Sequence, residues 1–152
     1  MSKKCEISFY HLSKYSVIKA LPKLLEKVYQ SGANCLVVCS NDSEMAALNE
    51  MLWTYGSKAF LPHGSTEDQD PSLQPILLST NFTRLNDAKI IVILAENIPE
   101  NIDEFERCLD IFYSNGVDEP ANKANSRYKF YKDNNHPLTY WIQDSEGAWV
   151  KR

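Results

Sequence analysis

The spacing of apolar residues changes between two periods along the chain, and these changes predict the order of its secondary-structure elements. Apolar runs at 6–10, 35–39, 75–79 and 88–94 are typical of strands. In 35–39 (CLVVC) and 88–94 the apolar residues follow one another without polar alternation, which indicates strands that are buried on both faces of a sheet. The run at 35–39 is therefore expected to be a central strand.

A period near 3.6 residues predicts helices between these runs. From Val17 to Val28 the apolar residues recur at helical offsets, with Ser16 as a candidate N-cap and Gly32 after the end. Pro22 lies inside this pattern and lacks a backbone donor, so we expect a kink or a broken first turn near it.

The same period predicts three later helices. Asn41 or Ser43 can cap a helix that ends near Trp53. Another amphipathic helix is expected over 101–112, and one more from Pro120 to about Lys132.

Two segments are expected to lack helices. The acidic, turn-rich stretch 65–72 (STEDQDPS) is expected to be a mobile loop. The tail at 138–143 and 148–150 has the pattern of a pair of edge strands joined at 146–147. Because strands and helices alternate through most of the chain, we predict an α/β protein, a three-layer α/β/α sandwich with a largely parallel, mixed sheet. A length of 152 residues fits one domain covering residues 1–152.

Composition and charge narrow the function. With 43% hydrophobic and 24% charged residues, the chain has the composition of an ordinary soluble globular protein. Its net charge of −4 means that the field of the whole molecule does not attract nucleic acid. The chain shows neither a signal peptide nor an apolar run near the roughly 18 residues of a spanning helix, so we expect a cytoplasmic protein with no membrane contact.

No catalytic, cofactor or metal site is predicted. The five glycines form neither GxGxxG nor GxxxxGK[ST], and the turn after 35–39 places Asp42 where a phosphate needs backbone amides. The four cysteines contain no CxxC pair, which favours free thiols in the core. His63 could act as a general base, but a lone loop histidine is more often a hydrogen-bonding or interface residue. The alternative function is a small nucleotide-binding or hydrolytic α/β enzyme with its crevice near Asp42.

The connector 52–64 (LWTYGSKAFLPHG) is unusually apolar. Connectors normally run over the surface and are polar, yet this one contains Trp53, Phe60, Leu61, Pro62 and His63. One interpretation is that its aromatic residues fill the core. The other is that part of the cluster stays exposed as a docking patch, because exposed aromatics with few charges between them mark protein interfaces.

The predicted last helix interleaves cations with aromatics. The stretch 127–132 (RYKFYK) contains Arg127, Tyr128, Lys129 and Lys132, and Lys123 lies one turn earlier. It is either an amphipathic helix with tyrosines in the core and cations in water, or a pocket for an acidic peptide with an aromatic floor. Single-stranded nucleic acid also suits this mixture, although the overall acidity makes it the weaker choice.

The order of these motifs resembles the chi subunit of bacterial DNA polymerase III. The resemblance rests on FY at 9–10, SGANCLVVCSND, LW followed by FLPH seven residues after the Trp, and RYKFYK before a Trp-bearing tail. It implies a nucleotide-binding-like α/β fold without the nucleotide site. It also implies a non-catalytic adaptor, without cofactors, that bridges the psi subunit of the clamp loader and the C-terminal tail of the single-stranded-DNA-binding protein.

The resemblance assigns residues to both contacts. Trp53, Phe60, Leu61, Pro62 and His63 fall on the psi-binding segment, which is also a possible contact for a repair helicase. Contact with DNA is expected only through partners, at the replisome.

For the tail contact, Tyr128 and Lys129 match the tail-binding helix. The family pattern carries basic residues where this chain has Asn125 and Ala121. Either neighbouring cations supply the missing charge or the tail site is weakened. Those cations are Lys123, Arg127 and Lys132.

Overall fold

The computed structural model describes residues 4–54, 62–66, 70–95, 97–114 and 119–152. Within these residues it contains eight strands, three α-helices and two 3₁₀ turns. The strands are β1 (Glu6–Leu12), β2 (Cys35–Val38), β3 (Gly64–Ser65), β4 (Ile76–Ser79), β5 (Ile90–Ile93), β6 (Arg107–Tyr113), β7 (Leu138–Gln143) and β8 (Trp149–Lys151). The helices are α1 (Val17–Gln30), α2 (Asp42–Thr54) and α3 (Glu119–Asp133), and the 3₁₀ turns are Pro71–Leu73 and Ile102–Glu104.

All eight strands form one sheet in the order β3-β4-β2-β5-β6-β1-β7-β8. Every neighbouring pair is parallel except β7 and β8, which are antiparallel. The buried residues of α1 and α2 pack on one face of this sheet, and those of α3 pack on the other. This arrangement confirms the predicted three-layer α/β/α sandwich with a largely parallel, mixed sheet.

The central strands are buried because both of their faces are covered. In β2, Cys35 and Val37 face the layer of α1 and α2, whereas Leu36 and Val38 face the layer of α3. All residues of β2, β4 and β5 are buried, which accounts for their continuous apolar runs. The strands predicted at 35–39, 75–79 and 88–94 are thus confirmed.

Helix α1 follows the prediction in its cap and its face. The Ser16 side chain accepts a hydrogen bond from the Lys19 amide at 3.3 Å, and Gly32 follows the helix end with φ +85°. The helix is not broken at Pro22, which is buried inside it. Of the two expected effects, a kink or a broken first turn, the break is therefore wrong, and α1 is continuous despite the missing donor.

The helix predicted over 101–112 is wrong. This segment forms the 3₁₀ turn Ile102–Glu104 and then strand β6, which lies between β5 and β1. Residues 108–112 of β6 are all buried, including Asp110, which is fully buried. The apolar residues of 101–112 fit a helical period, but a strand covered on both faces buries the same residues. Asp110 interrupts the apolar run of β6, so the sequence pattern did not indicate a strand there.

The loop and tail predictions need smaller corrections. Gly64–Ser65 pairs with β4 as the edge strand β3, and Pro71–Leu73 forms a 3₁₀ turn, so 65–72 is not one irregular loop. Residues 67–69 lie outside the described residues. In the tail, β7 lies between β1 and β8, and only β8 is at the edge of the sheet.

The buried carboxamide of Gln143 joins the β7–β8 hairpin to the start of α1. Its Oε1 accepts hydrogen bonds from the backbone amides of Ser13, Lys14 and Tyr15 at 3.3, 2.8 and 3.0 Å. Gly147, in the turn of the hairpin, has φ +88°, and a Cβ there would lie 2.6 Å from Tyr15 Cε2. The hairpin and the 13–15 segment are thus held in close contact.

We expect Gly147→Ala to destabilise the fold more than Gly32→Ala. Both glycines have a positive φ, which costs an alanine about 1–2 kcal/mol. A Cβ at Gly32 meets nothing within 4 Å, whereas one at Gly147 displaces Tyr15. Urea unfolding of both variants measures the difference. If both variants lose the same free energy of unfolding, Tyr15 moves aside without cost.

Candidate functional site

Trp53 forms an exposed aromatic surface at the end of α2. Its side chain is 58% exposed, while the preceding Leu52 is buried. The Trp53 ring packs against the ring of His63, with a centroid separation of 4.8 Å, and Pro62 beside it is half-buried. We call Trp53, Pro62 and His63 the Trp53 surface. Of the two interpretations of the connector, the exposed patch holds for Trp53.

The other residues assigned to this contact either lie outside the described residues or are buried or half-buried. Phe60 and Leu61, which the sequence assigns to the same contact, lie outside the described residues. His63 itself is buried, so it supports the Trp53 ring from below. A shallow groove runs from the indole along α2 to Ser65 of β3 and includes Ala46 and Asn49. The Trp53 surface therefore lies at the β3 edge of the sheet.

The most basic part of α3 contains one cation that is not exposed. Arg127 is 6% exposed, and its guanidinium donates two hydrogen bonds to the carboxylate of Asp110 on β6. The Nε–Oδ2 distance is 2.8 Å and the Nη2–Oδ1 distance is 2.9 Å. Burial raises the pKa of the Asp110 carboxyl, and the hydrogen bonds from Arg127 act in the opposite direction. Arg127 thus attaches α3 to the sheet.

The predicted cations of α3 do not share one face. Successive residues of an α-helix are about 100° apart, which places Lys123 about 140° from Tyr128 and about 180° from Lys132. Lys123 and Arg127 line a groove with Ile98, after β5. Lys123 also forms an ion pair with Glu119 at 3.3 Å. Lys132 is only about 40° from Tyr128, on the opposite flank of α3.

Tyr128 joins an aromatic cluster between α3 and β7. Its ring lies 5.6 Å from that of Phe9 and 6.2 Å from that of Tyr140, and the Tyr140 ring stacks on Phe9 at 5.8 Å. The guanidinium of Arg152 lies 5.4 Å from the centroid of the Tyr140 ring, a cation–π distance. We call Tyr128, Lys129, Lys132, Tyr140 and Arg152 the Tyr128 surface. Lys129 and Lys132 are exposed on it.

A hydrogen-bond chain fixes Tyr140 in this surface. The Tyr140 hydroxyl lies 3.3 Å from His11 Nδ1, and His11 Nε2 lies 3.1 Å from the Ser114 carbonyl. Because a carbonyl oxygen only accepts, Nε2 donates to Ser114, and in the neutral ring Nδ1 is then the acceptor for the Tyr140 hydroxyl. Burial raises the pKa of Tyr140, against the opposing effect of Arg152, so the phenol remains a donor.

Sequence reasoning missed Tyr140, Arg152 and Asp110. Tyr140 and Arg152 are distant from α3 in the chain, and only the pairing of β7 with β1 and β8 brings them beside Tyr128. Nothing in the sequence pattern identified them. Asp110 did give a signal, since a lone carboxylate among apolar residues needs a buried cation.

The place where an α/β protein would hold a phosphate is filled by side chains of the chain itself. At the start of α2, the Asn41 side chain accepts from the Glu44 amide at 2.8 Å, and Glu44 Oε1 accepts from the Ser40 amide at 2.8 Å. These contacts use the backbone donors that a phosphate needs and place a carboxylate beside Asp42. The geometry does not favour a nucleotide at this crevice.

The cysteines of this chain lie in the core. All four cysteines are buried free thiols, which confirms the core interpretation. Burial raises the pKa of Cys5 and of Cys39 to about 12. Such thiols are poor nucleophiles at neutral pH. Within the described ranges, no group of three His, Cys, Asp or Glu residues is arranged to hold a metal ion.

In the part of the chain that the structure describes, no helix has the length and apolar content that crossing a membrane requires.

The fold and its two surfaces define a small α/β protein that presents aromatic side chains at two separate places. A model of the family described as "DNA polymerase III chi subunit, HolC" matches residues 5–139. The chain belongs to this DNA polymerase III chi subunit family.

Two relatives carry the same description. The chain is 32% identical over 107 residues to the "Probable DNA polymerase III subunit chi" of Rickettsia prowazekii. The aligned residues cover 70% of this chain and 65% of that protein. It is 25% identical over 118 residues to the "DNA polymerase III subunit chi" of Pseudomonas aeruginosa, and these residues cover 76% of this chain and 79% of that protein. The match thus spans slightly less than two thirds of the Rickettsia protein.

We expect Asp110→Ala to destabilise the fold by about 3–5 kcal/mol, because it leaves the Arg127 guanidinium buried without its carboxylate. Glu119→Ala removes the partner of Lys123 in an exposed pair on the same helix, and we expect it to cost less than about 1 kcal/mol. Urea unfolding followed by circular dichroism compares the two. A loss at Asp110 as small as that at Glu119 would contradict the role given to the buried pair.

Proposed function

We propose that this chain is a non-catalytic adaptor of DNA polymerase III that bridges the psi subunit of the clamp loader and the C-terminal tail of the single-stranded-DNA-binding protein. The observation that carries the proposal is the separation of the two surfaces. The Trp53 surface lies beside β3, the first strand of the sheet, and the Tyr128 surface lies on β7, the seventh. Six strand spacings of about 4.8 Å separate them by about 29 Å.

The faces of the sheet separate the two surfaces further. Trp53 is on α2, which packs on one face, and Tyr128 is on α3, which packs on the other. The two surfaces share no residue and lie on opposite faces of the sheet. A bridging role needs simultaneous binding, and this arrangement permits it.

The Trp53 surface suits a lasting contact with another protein subunit. An indole that is 58% exposed, packed on the buried ring of His63, is a rigid apolar side chain of the kind that dominates interface energies. We assign it to psi, together with Phe60, Leu61 and Pro62. A repair helicase that used the same surface would compete with psi.

The Tyr128 surface suits an acidic tail that ends in a carboxylate. Tyr128 and Tyr140 provide an aromatic floor, and Lys129, Lys132 and Arg152 provide cations beside it. Charge-assisted hydrogen bonds to carboxylates are among the stronger polar contacts. This combination recognises both an apolar side chain and the negative charges around it.

The proposed tail site lacks the basic residues that the resemblance expects at Asn125 and Ala121, and other cations lie close enough to replace their charge. Lys132 is only about 20° from the direction of Asn125 on α3, about two turns further along. Arg152 adds a second cation from the residue after β8. Lys123 and Arg127 are on the other flank, and Arg127 is paired with Asp110 inside the core. We therefore assign the tail contact to Lys129, Lys132 and Arg152.

Direct binding of DNA is the weaker alternative. The net charge of −4 repels a phosphate backbone at long range. In the proposed role the chain reaches DNA only through its partners, in the cytoplasm at the replisome.

We expect Trp53→Ala to abolish copurification of the chain with a coexpressed psi subunit, because the largest exposed apolar side chain of the surface is removed. Truncation of such an anchor costs about 2 kcal/mol or more, roughly a thirtyfold loss of affinity. The assay is pull-down through a tag on this chain.

Val150→Ala is the matched control, since Val150 is 48% exposed and lies on β8, at the opposite edge of the sheet from β3. It should leave the complex intact. A psi complex that survives Trp53→Ala would argue against this surface, provided that circular dichroism shows both variants folded.

For the tail contact we expect Lys132→Glu and Lys129→Glu each to weaken binding of an acidic peptide ending in Phe with a free carboxylate. Loss of one charge-assisted bond costs about 1.5–3 kcal/mol, roughly a factor of 10 to 150. Calorimetric titration of the peptide into each variant measures the effect.

Lys123→Glu makes the same change of charge on the opposite flank of α3 and should alter the affinity less than twofold. If all three variants lose binding equally, the contact depends on general charge and the Tyr128 surface is not the site. No binding by the unaltered chain would leave psi as the sole inherited partner.

A further inference from the structure

A groove on the α1 face of the sheet combines lysines with an apolar floor, and neither proposed contact uses it. One wall is α1, with Lys19, Lys23 and Lys27. The other wall is the β7–β8 hairpin, and the groove has a volume of about 360 Å³, within the range of ligand pockets. We call it the α1 groove.

The three lysines form one row along α1. They are four residues apart, so their side chains follow one another at intervals of about 6 Å on one side of the helix. All three are exposed. Among the residues that the structure describes, no carboxylate lies within ion-pair distance of any of these ammonium groups. Lys19 Nζ lies 4.6 Å from the centroid of the Tyr15 ring, a cation–π distance that leaves its charge unneutralised.

The floor of the groove is apolar. It is formed by Ala20 and Leu24 of α1 and by Trp149 of β8. The Trp149 ring packs edge-on against Tyr10, with a centroid separation of 5.1 Å, and belongs to the core beneath α1. The indole is half-buried, so a surface of it remains available to a ligand.

The groove is held open by its own hydrogen bonds. Gln143 fixes the segment before α1 to the hairpin through three backbone amides, and its Nε2 donates to the Gly147 carbonyl at 3.4 Å. Asp144 Oδ1 accepts from the amides of Glu146 and Ala148, both at 2.9 Å, and closes the turn. Both walls are therefore fixed before any ligand binds, which reduces the entropic cost of binding.

We propose that the α1 groove binds an extended acidic peptide segment that carries an apolar side chain. In an extended peptide, side chains on the same side recur at about 6.6–6.8 Å, close to the spacing of the lysines. Two carboxylates four residues apart in the peptide, about 13 Å, can therefore meet Lys19 and Lys27, which are about 12 Å apart. The apolar side chain between them lies on Leu24 and Trp149.

The charge of the surroundings favours a peptide over nucleic acid. The whole chain is acidic, with a net charge of −4, and Asp144 and Glu146 lie in the hairpin turn, outside the lining of the groove. A short acidic peptide meets the lysines only within the groove, whereas a longer phosphate backbone extends onto the acidic surface around it.

This site is independent of the proposed tail contact. The α1 groove opens on the face of α1 and α2, and the Tyr128 surface is on the face of α3. Variants of one site therefore leave the other intact.

The test is fluorescence anisotropy of the full chain with a fluorescein-labelled peptide, acetyl-Glu-Asp-Phe-Asp-Glu-Asp-amide. Its Phe is internal and its C-terminus is blocked, so it lacks the free terminal carboxylate expected of a ligand for the Tyr128 surface. We expect saturable binding that Lys23→Glu/Lys27→Glu weakens at least tenfold. Both side chains are exposed and no ion pair within the described residues holds them, so the variant should fold.

The matched control is Lys129→Glu/Lys132→Glu, which changes the net charge equally on the opposite face and should weaken binding less than twofold. Absence of saturable binding, or equal weakening by both variants, would overturn the proposal. A labelled dT12 oligonucleotide is titrated in parallel. Binding of dT12 that only the α1 variant abolishes, without binding of the peptide, would assign the groove to nucleic acid instead.

Discussion

One charge pair inside the core sets the orientation of α3. Asp110 can sit inside the sheet only because Arg127 meets it with two hydrogen bonds, and burying either charge alone costs several kcal/mol. The pair fixes the rotation of α3 about its axis. Tyr128 then faces β7, and Lys123 faces the segment after β5. Which cations of this helix can share a ligand follows from that rotation.

The same pair marks the limit of what the sequence reveals about the fold. The strands β2, β4 and β5 were predictable because an unbroken apolar run of this length is typical of a strand covered on both faces. Helix α1 was predictable because its cap and its period agree. Strand β6 was not, since Asp110 interrupted its run and the remaining apolar residues also fit a helix. To recognise it, one must know that Arg127, 17 residues later, supplies the countercharge.

The sequence also shows only part of the two candidate surfaces. For Trp53 the sequence left two alternatives, the core and the surface, and the structure decides for the surface. The helical period alone separates the cations of 123–132 onto two flanks, but the sequence does not show that Arg127 is buried against Asp110. Tyr140 and Arg152 depend on strand pairing between distant segments, which no local pattern encodes.

The edges of the sheet also affect how other proteins can be recognised. Within the described residues, β3 has two residues and β8 has three, so each edge offers few backbone groups to an incoming strand. Binding by strand addition gains most of its affinity from the main chain and tolerates sequence change in both partners. A protein with such short edges must instead rely on a few side chains. Its partners are therefore expected to evolve together with those side chains, and a partner from a distant species is expected to bind poorly.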